Sequence, residues 1–168
     1  MIDIVEDIRL RAAELVEIAK FEGLTIGFAE SLTGGLISAS LVNIPGASAV
    51  FKGSVVSYTN EIKENVLGVP ADIIETYTEV SDECAKAMAE GASSVLGVDI
   101  AISVTGIAGP TGALPGKPVG TVYMGYCRLP NISGSVRLNF EGDRDTIRYC
   151  TVLAAINQAV TLIKDGKA

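Results

Sequence analysis

The chain has 168 residues, 48% hydrophobic and 20% charged, which suits one domain (1–168) with a substantial core and excludes a disordered chain. A formal charge of −7 argues against a nucleic-acid surface, and no apolar run approaches the roughly 20 residues that cross a bilayer. Histidine is absent altogether, which excludes a Ser-His-Asp triad, a Cys-His pair, a histidine base and a His-ligated zinc together.

Residues 2–22 carry Ile4, Val5, Ile8, Ala12, Leu15, Val16 and Ala19 at helical spacing, and Gly23 ends that helix. This opening stretch is acidic and amphipathic, unlike a secretory signal. Residues 24–29, LTIGFA, read as a buried strand, and after Gly34-Gly35 a small-residue helix runs to Pro45-Gly46. A strand is expected over 54–59 (SVVSYT), followed by a short helix in NEIKENVLG. Ser81 is a good N-cap for the next helix, whose apolar face carries Cys84, Met88, Ala92 and Val95. Residues 99–108 form a second buried strand, and a Gly/Pro loop leads to TVYMGYCRL. An NISGS turn then joins it to the antiparallel VRLNFEG. Asp143 caps a final helix striped by Tyr149, Val152, Leu153, Ile156, Val160 and Ile163. The pattern predicts a three-layer α/β/α sandwich with a mixed, mostly parallel sheet.

Two buried strands end in a hydroxyl followed by glycine, AESLTGG at 29–35 and SVTGIAGP at 103–110. Ligands of open α/β sheets bind beyond the carboxyl ends of the strands, so both segments face one crevice if the strands are parallel. Glycine lets backbone approach a ligand closely, which suits an oxyanion hole or a phosphate cradle. GALPGKP lacks the spacing of a P-loop and reads as a flexible connection. No carboxylate cluster points to a metal, and the scattered Glu30, Asp72 and Asp99 make metal-dependent phosphoester hydrolysis a weak alternative.

Lys63 stands out. On a helix, Ile62, Val66 and Leu67 share a sector that contains Lys63, whereas Glu61, Glu64 and Asn65 fall outside it. Such a lysine either snorkels to the surface or is held in a pocket. At pH 7 an unperturbed lysine, pKa ~10.4, is the free base only about once in a few thousand molecules. Burial lowers that value by up to about 3–5 units, enough for a base near neutrality. Lysine is a known substitute for histidine in activating serine, so Ser31 and Lys63 form the leading nucleophile–base pair. Tyr58 either relays a proton and orients the amine or packs on the sheet as a strand aromatic. Glu30 pairs with Lys63, binds a ligand hydroxyl, or lies at an exposed strand end. Arg144 either brings positive charge to an anionic substrate or is a surface arginine. The three cysteines, Cys84, Cys127 and Cys150, form no CxxC pair and suit reduced thiols in the cytoplasm.

AESLTGG, NIPGASAVFKGSVVSYTNEIK, LGVP, ISVTGIAGP, KPVGTVY and FEGDRDTIR occur in the order found in one family. The chain resembles the C-terminal domain of the competence/damage-inducible protein CinA, from about residue 10 to 163, and looks like its stand-alone, PncC-like form. The resemblance implies a nicotinamide-nucleotide amidohydrolase converting nicotinamide mononucleotide and water to nicotinate mononucleotide and ammonia, with no cofactor. It places the nucleophile on Ser31, the lysine on Lys63 and the tyrosine on Tyr58. The substrate-binding set it implies is Glu30, Thr33, Gly34, Gly35, Asn60, Thr105, Gly106, Gly109 and Arg144. Leu32 stands where the family often has cysteine, and GPTGALPGKP departs from its glycine-richer loop. The expected partners are a small pyridine nucleotide and further copies of the chain, as a dimer or larger homo-oligomer. The alternative is a nucleotide-binding, oligomerising module of the same fold without catalysis.

Overall fold

All five residues of β1 (Ile26–Glu30) are buried, as befits a strand inside a sheet covered on both faces. The computed structural model, which describes residues 2–166, places β1 in a five-stranded sheet of order β2-β1-β3-β4-β5. Its parallel neighbours are β2 (Phe51–Val56) and β3 (Ile100–Gly106). The hairpin of β4 (Thr121–Arg128) and β5 (Ile132–Asn139) adds two antiparallel pairings, β3 with β4 and β4 with β5. The sheet is mixed, with its parallel part confined to β2, β1 and β3, and the glycine turns follow β1 and β3.

Side-chain size differs between the two faces. Phe28, Ile100, Ile102, Val104, Val122 and Met124 pack against α1 (Ile2–Glu22), α2 (Leu36–Val42) and α6 (Arg144–Asp165). The opposite face offers Ala29, Ala101 and Cys127 to α5 (Asp82–Leu96), so this helix sits close. At Gly125 a Cβ would come within 2.0 Å of the Ala85 carbonyl oxygen of α5. Ser103 fills the remaining gap, donating to that same carbonyl at 2.5 Å.

α6 is 22 residues long and apolar enough to cross a bilayer by length and composition, beyond the reading that no such run exists. Half of its most apolar stretch is buried within the domain, where Ile147, Val152, Ile156 and Ile163 belong to the core. Both anticipated caps are made: Ser81 Oγ accepts from the Cys84 N–H, and Asp143 Oδ1 from the Thr146 N–H.

β2, the hairpin turn and one helix differ from expectation. β2 starts at Phe51 and ends at Val56, because pairing with β1 begins at Ile26↔Phe51 and ends at Glu30↔Val56. Tyr58 is therefore in a loop. The hairpin reverses at residues 129–131, and Ile132 to Ser135, read as a turn, already pair with β4. α4 (Ala71–Tyr77) was not anticipated; its 7 residues are too few for a periodic pattern, and only Ile73 and Ile74 pack, partly buried, against the core. α3 (Asn60–Asn65) lies where the short helix was expected.

Candidate active site

The chain leaves β1 through Glu30 and turns at Ser31, whose N–H donates to the Val104 carbonyl of β3 at 3.1 Å. Glu30 is fully buried. Its Oε2 accepts from Thr33 Oγ1 and from the N–H groups of Gly35 and Ile37, and its Oε1 from the N–H and Oγ of Ser38. Glu30 thus fastens the glycine turn and the start of α2 to the strand end. It neither pairs with Lys63 nor faces a ligand, because both oxygens are already occupied.

The turn itself needs glycine: Gly34 has φ 59° and Gly35 φ 99°. The Gly34 N–H donates to the Ser31 carbonyl at 3.1 Å and the Gly35 N–H to Glu30. Neither is free for an oxyanion, and neither glycine nor Thr33 lines the cavity at Ser31. The turn is also held by Arg148 of α6, whose Nε and Nη2 donate to the carbonyls of Leu32 and Thr33, each at 3.0 Å. The Leu32 N–H, directly after Ser31, donates to no described group, and Leu32 lines the cavity.

Lys63 projects from α3 with only 1% of its surface exposed. The helix is started by Thr59, whose Oγ1 accepts from the Ile62 N–H. Lys63 Nζ donates to Ser31 Oγ at 3.1 Å and to the Ser57 carbonyl at 2.8 Å. Burial lowers the pKa of this amine, opposed by negative charge at Cys84 and at Glu79. Burial also pushes the Cys84 thiol up to about 11, so it is uncharged at pH 7 and Glu79 is the opposing charge that remains.

A cavity of about 320 Å³ opens over this pair. Tyr58, Asn60, Thr105, Gly106, Gly109 and Arg144 line it, so the structure brings these expected residues together with Ser31 and Lys63. Tyr58 is 60% exposed, and its hydroxyl accepts a 3.4 Å bond from Arg144 Nη2. It bonds neither Ser31 nor Lys63; the Ser57 carbonyl, rather than the phenol, orients the amine. Arg144 Nη1 also donates to the Gly109 carbonyl at 2.8 Å. The Thr105 hydroxyl is committed to the Glu79 carbonyl at 2.8 Å. Among the described residues no group of His, Cys, Asp and Glu is placed to hold a metal ion.

Sequence reasoning missed Ser57, Glu79 and Arg148. Ser57 acts through its backbone, which side-chain patterns do not report. Arg148 lies one helical turn after Arg144, a spacing that puts both on the side of α6 facing the turns.

A family model described as the CinA C-terminal domain matches residues 9–163. A CinA-like protein of Dictyoglomus thermophilum is 51% identical over 143 residues, covering 85% of this chain and 34% of the relative. A CinA-like protein of Thermotoga maritima is 42% identical over 150 residues, covering 89% and 36%. The chain spans about a third of the length of these curated relatives. The crystal structure of competence/damage inducible protein CihA from Agrobacterium tumefaciens superposes with a TM-score of 0.91 at 36% identity, covering 93% of this chain and 95% of that one. A CinA superfamily protein from Klebsiella pneumoniae gives 0.90 at 28% identity, covering 94% and 98%.

Proposed function

The chain belongs to the CinA C-terminal domain family, and from that membership and the Ser31–Lys63 contact we propose a serine-type amidohydrolase acting on nicotinamide mononucleotide. The observation that carries the reading is a buried amine 3.1 Å from a serine hydroxyl at the floor of a ligand-sized cavity. A free amine keeps two N–H groups and a lone pair. With one N–H on the Ser57 carbonyl, the lone pair can aim at Ser31, and the serine hydroxyl then becomes the donor.

In this mechanism Lys63 takes the Ser31 proton while Oγ attacks the carboxamide carbon. The oxyanion that forms is met by the Leu32 N–H, and such a donor is worth roughly 3 kcal/mol. Lys63 returns its proton to the departing nitrogen, ammonia leaves, and Ser31 holds an acyl ester. Water then attacks the ester, Lys63 accepts the water's proton and passes it to Ser31 Oγ as the C–O bond to serine breaks, which frees nicotinate mononucleotide and restores both the serine hydroxyl and the free amine. Arg144 and Tyr58 stand at the mouth for the phosphate.

Ammonia release from nicotinamide mononucleotide tests the assignment. Ser31→Ala is expected to lower it by roughly 1000-fold or more while preserving the fold. Equal rates in the variant and the wild type would remove Ser31 from the chemistry.

A further inference from the structure

Thr78 has φ 70° and ψ 168°, a combination of angles that glycine alone adopts readily, and it is the one non-glycine residue with positive φ among the described residues. Lys117 holds it there, donating from Nζ to the Tyr77 carbonyl at 3.0 Å, Thr78 Oγ1 at 3.1 Å and the Val80 carbonyl at 2.6 Å. Ser81 Oγ adds a bond to the Thr78 carbonyl at 2.8 Å. The lysine of the Gly/Pro loop is therefore committed to chain oxygens rather than to a phosphate.

Strain of this kind persists where the surroundings enforce it, and it clusters at functional sites. Here it fixes the next residue, Glu79, in the wall of the cavity above Lys63. The Glu79 carbonyl is anchored by Thr105, while its half-buried carboxylate accepts no hydrogen bond from any described residue. That carboxylate is close enough to Lys63 to favour a positive charge there. Arg144, an exposed residue bonded to the Gly109 carbonyl and the Tyr58 hydroxyl, lines the same cavity. The cavity thus holds negative charge near the Ser31–Lys63 pair and positive charge at its mouth.

The geometry points to Glu79 as a specificity residue that selects a carboxamide carried on a cationic heteroaromatic ring, with Thr78 and Lys117 as its positioning residues. This rests on the amidohydrolase reading and goes beyond it by naming what distinguishes the preferred ring. Arg144 then meets the anionic end of the same zwitterionic ligand.

The probes are oxidised nicotinamide mononucleotide, whose ring is cationic, and its reduced form, which keeps the carboxamide, ribose and phosphate on a neutral ring. Dissociation constants are measured by calorimetry, and ammonia release is followed in parallel. The wild type is expected to bind the oxidised form more tightly, and Glu79→Gln to cut that preference about tenfold. Lys117→Met is expected to cut it in part, with circular dichroism confirming the fold of both variants. An unchanged preference in Glu79→Gln overturns the inference. Equal weakening of both nucleotides also overturns it, since Glu79 would then serve the ribose hydroxyls. Wild-type protein that binds neither nucleotide and releases no ammonia sinks the amidohydrolase reading and this inference with it. Turnover with an unchanged preference sinks this inference alone.

Discussion

Lys63→Met is expected to lower ammonia release from nicotinamide mononucleotide by roughly 1000-fold or more, because no other base among the described residues bonds the Ser31 hydroxyl. Its second signature lies in stability. Burial depresses the amine's pKa in the folded chain below the unfolded reference of 10.5, so the unfolded chain binds more protons between those two values. Wild-type stability therefore rises with pH across that window, and the penalty for burying the charge is greatest below it. Methionine carries no such penalty. The gap between variant and wild type should move in the wild type's favour as pH climbs towards 10.5, read from denaturant unfolding at a series of pH values. Loss of the bond to the Ser57 carbonyl displaces the variant curve by a constant and leaves that slope intact. Parallel curves over the alkaline range would contradict the burial of a titrating amine.

Glu30→Gln is expected to destabilise the domain by about 3–5 kcal/mol, measured by chemical denaturation. The carboxylate accepts from five donors with no exposure to water. An amide offers one oxygen, and its NH2 would face N–H and O–H groups that also need acceptors. The turn after Ser31 would loosen, so activity should fall with stability even though Glu30 lies outside the cavity. A variant as stable as the wild type would show that the donors find other acceptors.

Legibility in the sequence followed the kind of contact involved. Lys63 was visible because a charged residue in an apolar helical sector violates the pattern around it, and burial is the physical reason for that violation. Ser31 was visible because a hydroxyl before paired glycines marks a sharp turn at a strand end. Glu30 was misread, because its partners Gly35, Ile37 and Ser38 become neighbours only after the chain has reversed. Tyr58 was placed on a strand because Val55, Val56, Tyr58 and Thr59 all favour strands, and only the register with β1 ends β2 at Val56. The mixed sheet was readable from helix–strand alternation followed by a hairpin, whereas α4 was not, because its seven residues turn only Ile73 and Ile74 partly inward. Glu79 carried no signal, since its position depends on strain at Thr78 and on Lys117, almost forty residues further along.

For the proposed chemistry, an amine at position 63 has to be uncharged often enough near neutral pH to accept the Ser31 proton. Labelling the lysines with carbon-13 at Cε and following their signals against pH by NMR, with Lys63→Met identifying the one that disappears, tests this directly. That signal is expected to titrate well below the ordinary lysine value of about 10.4 and apart from the other lysines. A Lys63 signal that titrates with the surface lysines would contradict it.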